Sequence, residues 1–493
     1  MNIHELITGI EEVEGIERDN NFMIKGITAN SLKVEEGFLF VAISGHAADG
    51  HDYIADAIQA GASLIVGEKD LALDVPYIRV SNSRKVLAKL ASKFYGEPSR
   101  RKRMIGITGT NGKTTTSYMV KHILETAGYS CALFGSVKNI VNGQEFPSIN
   151  TTPEPLELNR LLSESEDDFV IMEVSSHGIS QHRIEGISFD YALFTNLDRD
   201  HLDYHKTMEN YFETKCKLFD QLKEDGRAII YAEDQWAKRL AEDLRAKGVA
   251  TLSVGEEETN DIQLTHHFKS FKSIGTLNRK GTNLTLALSI PGQHNICNAS
   301  LAYIVANECG VEANEITASL KHLQHVPGRF ELMKTTQGIT VVVDYAHTAS
   351  AIYHCLNTAK KSGARRIMHV FGYRGNRDTS KREEMLAVSS KLSDEYILTL
   401  DDLNHVPKEI MEAEMNRLQR GCGHSNGTFC SDRTLAIKEA LERAEEGDWV
   451  IITGKGNEPY QQDYALATKN DNETVRFVDN EWSLEKEINQ MAR

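Results

Sequence analysis

Residues 106–115 read Gly-Ile-Thr-Gly-Thr-Asn-Gly-Lys-Thr-Thr. The apolar run Met104–Thr108 predicts a strand entering this stretch, and Thr114–Ala127 predicts a helix leaving it. Strand, glycine-rich turn and helix in that order build a phosphate-binding loop. The glycines let backbone amides turn toward phosphate oxygens, and the helix N-terminus adds partial positive charge. Lys113 brings a mobile cation to the β- and γ-phosphates, and the Thr114 hydroxyl is a ligand for Mg²⁺. Gly106 lies one residue too far upstream for the general spacing, so the expectation rests on Gly109, Thr110, Asn111, Gly112, Lys113, Thr114 and Thr115. The loop by itself implies a nucleoside triphosphate with Mg²⁺. A phosphate loop names no reaction by itself, and a glycine turn with a chance Lys-Thr is the bland alternative.

Downstream of the loop, Phe169–Glu173, Tyr191–Thr195, Ala228–Tyr231 and Leu284–Ile290 read as strands with helices between several of them. That alternation predicts a doubly wound, mostly parallel sheet. Beyond Pro327-Gly328, Thr340–Val343, Arg366–Phe371, Glu395–Leu400 and Trp449–Ile452 predict a second Rossmann-like sheet. Upstream, Phe38–Ile43, Ser63–Val66 and Tyr77–Val80 read as strands, and Tyr53–Ala60 and Arg84–Tyr95 as helices of a small α/β domain. The basic stretch Ser99–Arg103 is a linker or a solvated helix end. The fold expected is α/β in three domains, 1–102, 103–327 and 328–493, as a length of 493 residues suggests at about 100–200 per domain.

Composition narrows the function. A net charge of -16 argues against non-specific nucleic-acid binding, although local amides and cations can still hold an anionic ligand. No apolar stretch reaches membrane-spanning length, and residues 1–15 lack the basic and apolar regions of a signal peptide. The 7 cysteines are odd in number and scattered, which predicts reduced thiols and a cytoplasmic location. Cys422, His424 and Cys430 are close but fit no common zinc spacing.

The spelling GTNGKTT resembles the Mur ligases, and other motifs follow in that family's order over nearly the whole chain. They are Asn150–Pro153 (NTTP), Glu173–His177 (EVSSH), Asn196–His205 (NLDRDHLDYH), Tyr211–Phe219 (YFETKCKLF), Pro291–Asn298 (PGQHNICN), Pro327–Arg329, Asp344–Thr348 (DYAHT) and Gly454–Gly456. The TTP, SSH and DHLDYH spellings look most like the tripeptide-forming branch. The resemblance implies that the first domain holds the UDP end of a UDP-linked muramoyl peptide, the second ATP, and the third a free incoming amino acid. It implies that a substrate carboxylate is phosphorylated to an acyl phosphate, which the amine of the amino acid then attacks. A cytoplasmic monomer with no nucleic-acid or membrane partner is expected.

The same resemblance assigns residues. Glu173, at a predicted strand end, and His201 match the metal site; Mg²⁺ favours oxygen ligands and retains water. Lys215 aligns with a lysine that reacts with CO₂ to give N6-carboxylysine, which requires a neutral amine and hence a depressed pKa. Lys217 is nearby, but the YFxxK spacing selects Lys215. Asn295, Asn298, Arg329 and Asp344 resemble nucleotide contacts. Ser31, His46, Asn150, Thr151, Thr152, Ser175, Gln181 and Arg183 match the branch's muramoyl-peptide contacts. Arg377 matches the arginine that takes the incoming amino acid's carboxylate.

Several positions depart from the branch. Its Asp-Ser-Arg is Asn30-Ser31-Leu32, which puts recognition of the UDP end in doubt. Its GCGGDRD is Gly372-Tyr373-Arg374-Gly375-Asn376-Arg377-Asp378. Where diaminopimelate-adding members read Asp-Asn-Pro-Arg, this chain reads Asp401-Asp402-Leu403-Asn404. Asn404 lacks the guanidinium that would grip a distal carboxylate. With Gly454 and Glu458 kept, Asp402 and Glu458 predict an anionic pocket suited to lysine or another basic amino acid. The alternatives are a paralogue joining an amino acid to a different carboxylate acceptor, a kinase, or a P-loop ATPase acting as a regulator without ligase chemistry.

Overall fold

A computed structural model describes residues 1–13, 22–45, 48–269 and 272–491. The chain divides into two compact units. One comprises Met1–Thr108, Tyr129–Leu193 and Thr214–Ala228; the other comprises Gly109–Gly128, Phe194–Glu213 and Ile229–Arg493.

In the first unit the N-terminal region forms a four-stranded parallel sheet, in the order Gly26–Thr28, Phe38–Val41, Ala62–Gly67 and Tyr77–Arg79. Its apolar face packs Leu39, Val41, Leu64 and Val66 against Val86, Leu87 and Leu90 of the helix Ser83–Phe94. Glu12 fixes the N-terminal segment to that helix through Lys85 at 2.9 Å and Lys89 at 2.8 Å. Burial raises the Glu12 pKa, but the two ammonium groups outweigh it and hold the carboxyl at about 2. Because the folded value is depressed, this stabilisation is present above the unfolded value of about 4.3 and is lost as pH falls through the folded one. Glu12→Gln is therefore expected to cost about 1 kcal/mol at neutral pH. Denaturation at a series of pH values should show that deficit shrinking on acidification; a pH-independent deficit would exclude the charge explanation.

The same unit carries the strand Arg103–Thr108 that leads into the phosphate loop. It pairs in parallel with Phe169–Glu173, which pairs in parallel with Cys131–Phe134. All five residues of Phe169–Glu173 are buried, as expected for a central strand covered on both faces. Lys138–Val141 and Gln144–Pro147 extend this edge antiparallel.

The second unit contains the helices Lys113–Thr126, Gln293–Glu308 and Ala313–His322 and an antiparallel run Ile262–Lys269, Lys272–Arg279 and Thr282–Leu288. The expected strand Leu284–Ile290 is thus the last of an antiparallel set, so this part departs from the mostly parallel arrangement. Its hairpin turns at Lys280 (φ 52) and Gly281 (φ 84), the positive-φ pair that a two-residue β-turn needs.

The C-terminal part of this unit is a six-stranded sheet in the order Glu331–Lys334, Thr340–Asp344, Trp449–Thr453, Ile367–Tyr373, Glu395–Leu400 and Gly427–Phe429. All neighbours are parallel except the first pair. Alternate residues serve opposite faces. Val342, Phe371, Leu398 and Ile451 meet the helices Ala349–Lys361, Arg382–Leu392 and Lys408–Cys422, while Val341, Val370, Ile397 and Val450 meet Arg433–Arg443 and Asp471–Met491. This is the expected Rossmann-like sheet, with helices on both faces. Among the described residues no helix is long and apolar enough to cross a membrane.

Candidate functional site

The phosphate loop lies in the second unit and is shaped by two glycines. Gly109 has φ +140, and a Cβ there would lie 1.9 Å from Thr195 Oγ1. Gly112 has φ +86, and a Cβ there would lie 2.3 Å from Asn298 Oδ1. No larger residue adopts this path without displacing its neighbours. The segment 195–198 straps the loop down. Asn111 N donates to Asn196 Oδ1 (2.9 Å), Asn196 Nδ2 and Thr195 Oγ1 donate to Asn111 O (3.1 and 2.6 Å), and Thr110 N donates to Asn196 O (2.9 Å). Thr110 Oγ1 accepts from Asp198 N at 3.0 Å and lies 3.2 Å from the Tyr211 hydroxyl. Lys113 Nζ donates to the Gly109 and Thr110 carbonyls, each at 2.9 Å, which holds the amine over the loop. Gly112 caps the helix Lys113–Thr126 without a side chain, so the first-turn amides face a ready anion site.

Residues far along the chain meet this loop. Arg329 Nη2 donates to Thr114 Oγ1 at 2.9 Å, and its guanidinium lies 4.2 Å from the centre of the Tyr345 ring. Asp344 accepts from Phe330 N (2.6 Å) and Ala346 N (2.7 Å) and so shapes the turn carrying Arg329; burial raises its pKa, against the pull of Arg329. Asn295 and Asn298 are buried one turn apart on the helix Gln293–Glu308, with Asn295 Nδ2 bonded to Pro291 O at 2.7 Å. His201, at φ 56, heads the short helix Leu202–His205.

The adjacent Asp200 is a functional candidate that the sequence did not single out. It takes Lys381 Nζ at 2.7 Å, His347 Nε2 at 3.3 Å and His201 Nε2 at 3.4 Å. Burial works against the charged carboxylate, but these three cationic or hydrogen-bonding partners depress its pKa well below the usual range. Asp200 thereby ties the segment strapping the phosphate loop to the C-terminal sheet domain. The DYAHT motif contains His347, but nothing local marks Lys381 as its companion.

In the first unit, six expected residues come together. Glu173 is fully buried; its carboxylate accepts from Ser136 N (3.1 Å) and Ser136 Oγ (3.0 Å). Ser136 Oγ is 3.0 Å from Thr151 Oγ1, and Thr152 Oγ1 donates to Glu173 O (3.0 Å) and accepts from Ser175 N (3.0 Å). Arg183 donates to Thr152 O at 2.8 Å and Gln181 Oε1 at 2.7 Å and pairs with Glu154 at 2.8 Å. Asn150 sits beside this cluster in sequence, its carbonyl accepting from Ser148 Oγ at 3.1 Å. Lys215, on the helix Met208–Cys216, is 1% exposed. Ser31 opens a short turn capped by Asn30, whose side chain accepts from Leu32 N at 3.0 Å. His46 lies outside the described residues.

Among the described residues no three His, Cys, Asp or Glu side chains form a preassembled metal cage. A Thr hydroxyl and a carboxylate are nevertheless oxygen donors suited to Mg²⁺, which completes its shell with water and phosphate rather than with an all-protein cage. The second unit carries such a hydroxyl at Thr114, and the first unit, taken by itself, carries such a carboxylate at Glu173.

The residues expected to meet the incoming amino acid are held by one another and by neighbouring charges. Arg433 bonds Asp401 (2.6 Å), and Asp401 Oδ2 abuts Gly454, where a Cβ would lie 2.7 Å away. Asn404, at φ 46, donates to Gly375 O at 2.9 Å. Arg377 is exposed. Asp402 and Glu458 are not an anionic pocket: Lys455 Nζ donates to Asp402 Oδ1 at 2.5 Å, and Arg374 Nη2 donates to Glu458 Oε2. The argument from uncompensated negative charge to a basic side chain is corrected accordingly. Arg374 and Lys455 stand inside the stretches Gly372–Asp378 and Gly454–Gly456, but their spacing does not show which carboxylates they meet.

Three domain families match the chain in succession: Mur ligase family, catalytic domain, at residues 23–95; Mur ligase middle domain at 107–306; and Mur ligase, glutamate ligase domain, at 328–456. A UDP-N-acetylmuramoyl-L-alanyl-D-glutamate--2,6-diaminopimelate ligase of Clostridium botulinum is 38% identical over 473 residues, 94% of this chain and 95% of that protein. One of the same name from Bacillus velezensis is 38% identical over 451 residues, 89% of this chain and 90% of its own. A solved structure of a ligase so named superposes with a TM-score of 0.68 at 26% identity, covering 98% of this chain and 99% of the other. Thermotoga maritima MurF in complex with ADP shares the fold, with a TM-score of 0.63 at 22% identity over 87% of this chain and 94% of that one.

Proposed function

Since this chain belongs to the Mur ligase family, an ATP-dependent ligase family, we propose that it adds the third amino acid to a UDP-linked muramoyl dipeptide in peptidoglycan precursor synthesis. The observation that carries this reading is the strapped phosphate loop with Arg329 bonded to Thr114. It is a nucleotide cradle that a remote part of the chain helps to complete, which suits a reaction gated by closure on ATP. In this reading the dipeptide carboxylate attacks the γ-phosphate, ADP leaves, and the amine of the amino acid attacks the acyl phosphate with loss of phosphate. Phosphoryl transfer of this kind needs positioning and charge neutralisation, the roles assigned to Lys113, Thr114 and Mg²⁺. Glu173 and His201 would hold the metal and N6-carboxylated Lys215 would orient it, while Asn150, Thr151, Thr152, Ser175, Gln181 and Arg183 would hold the muramoyl peptide. The domains are read as 1–102 for the UDP end, 103–327 for ATP and 328–493 for the amino acid, in a monomer.

The incoming amino acid is read as 2,6-diaminopimelate rather than lysine. The relatives that carry that amino acid in their names support it, as do the cationic partners of Asp402 and Glu458. Amino-acid-dependent ADP release with UDP-muramoyl dipeptide tests the whole reading, and a clear preference for lysine would overturn the choice of amino acid. The exposed Leu32 beside Asn30 and Ser31 favours a second reading, a paralogue with a different carboxylate acceptor. Turnover with another carboxylate but not with the dipeptide would establish it. ATP hydrolysis indifferent to every amino acid and acceptor would instead indicate a regulatory ATPase.

A further inference from the structure

The loop Gly372–Asp378, the segment Asp401–Asn404 and the turn Gly454–Glu458 bring four charged side chains together. Arg374 Nη2 donates to Glu458 Oε2 and, at 3.1 Å, to Gly454 O. Its Nε lies 4.0 Å from Asp402 Oδ2, beyond hydrogen-bonding reach, and neither atom has a hydrogen-bond partner. Asp402 is 1% exposed and its other oxygen is taken by Lys455 Nζ at 2.5 Å. The Arg374 side chain is 19% exposed, and its guanidinium lies 5.4 Å from the centre of the Tyr345 ring. Buried charges left with unmatched donors and acceptors are costly, so this group is poised for a further partner.

The charges alternate and sum to zero: two cations, Arg374 and Lys455, against two anions, Asp402 and Glu458. A ligand bearing only an ammonium would have to draw Glu458 away and strand Arg374. A ligand bearing only a carboxylate would strand Glu458. A ligand end carrying both groups on one carbon can engage half-buried Arg374 and the 38% exposed Glu458 together and leave neither charge unpaired. Asn404 carries no charge, and its amide donates to Gly375 O.

We propose that Arg374, held between Glu458, Gly454 O and Asp402, is the specificity-determining residue for the incoming amino acid and selects one whose far end carries a carboxylate and an ammonium. The assignment rests on the ligase reading above and adds to it the residue that replaces the missing arginine at 404. Removing Arg374 leaves the cluster with net charge −1, which suits a purely cationic side chain. Arg374→Met is therefore expected to raise the KM for diaminopimelate on the order of tenfold to a hundredfold and to lower that for lysine, with the KM for ATP unchanged. Arg374→Lys should retain part of the discrimination, since it keeps the charge but loses the planar fork.

The test pairs turnover with equilibrium binding of free diaminopimelate and free lysine to the full-length protein and both variants, with a non-hydrolysable ATP analogue present. An inverted preference in Arg374→Met supports the assignment. An unchanged preference, or equal weakening of both amino acids with no rescue in Arg374→Lys, overturns it while leaving the ligase reading intact. Arg374-dependent binding of diaminopimelate without turnover in the wild type would support the assignment and sink the ligase reading. Failure of the wild type to bind diaminopimelate sinks the assignment.

Discussion

Lys113→Ala is expected to reduce amino-acid-dependent ADP release about a hundredfold to a thousandfold. A neutral residue there would lose the side chain's bonds to Gly109 O and Thr110 O. The loop does not depend on them, because Asn196 and Thr195 fix the backbone of Asn111 and Thr110 independently. The loss should therefore fall on charge neutralisation at the phosphates and not on folding. Lys113→Met keeps good helix propensity at the first helical position and should unfold like the wild type while remaining as inactive as the alanine variant. Lys113→Arg should recover little, because a rigid guanidinium fork does not replace a compact, mobile ammonium in a cradle built from backbone. Steady-state ADP release and urea unfolding on all three variants check this. Activity within tenfold of wild type in Lys113→Met would remove the phosphate loop from the chemistry.

The parts of the molecule legible in the sequence are those whose physics is local. Phe169–Glu173 and Glu395–Leu400 were bounded correctly because a strand buried on both faces is a continuous apolar run. The phosphate loop was legible because its turn, cation and hydroxyl are adjacent residues. Gly26–Thr28, Lys272–Arg279 and Gly427–Phe429 were not, since they are short or half-polar and are strands only because a neighbour pairs with them. The same limit applied to electrostatics. Asp402 and Glu458 read as uncompensated carboxylates because their cations do not reveal themselves by spacing: Lys455 is 53 residues from Asp402, and Arg374 is 84 residues from Glu458. Asp200 was overlooked for the same reason, with Lys381 181 residues away. A motif gives residue types, whereas the sign of the local potential depends on what folding brings beside them.

That dependence makes Arg433 the position where a single change should cost most stability. Its side chain is fully buried; it makes a bidentate pair with Asp471 (2.7 and 2.8 Å), bonds Asp401 Oδ1 (2.6 Å) and donates to Thr453 O (2.9 Å). Asp401 and Asp471 are 2% and 0% exposed, so Arg433→Met leaves two buried carboxylates short of their principal cation. Breaking such a group by removing one member costs about 3–5 kcal/mol, whereas replacing all members by apolar residues of similar volume can be neutral. The urea midpoint of the transition that unfolds the C-terminal sheet is expected to fall accordingly, and Arg433→Met combined with Asp401→Asn and Asp471→Asn should recover part of the loss. The pH dependence has a definite sign. Burial already raises the Asp401 pKa against the pull of Arg433, Arg374 and Lys455, and loss of Arg433 raises it further. A carboxyl whose folded pKa lies above its unfolded value favours the folded state only where it is protonated, so the deficit should narrow as pH falls and widen as pH rises. Because Asp401 abuts Gly454, the same variant should also raise the KM for the amino acid more than that for ATP. A loss below about 1 kcal/mol, typical of an exposed ion pair, would mean that this buried network does not hold the amino-acid end in shape.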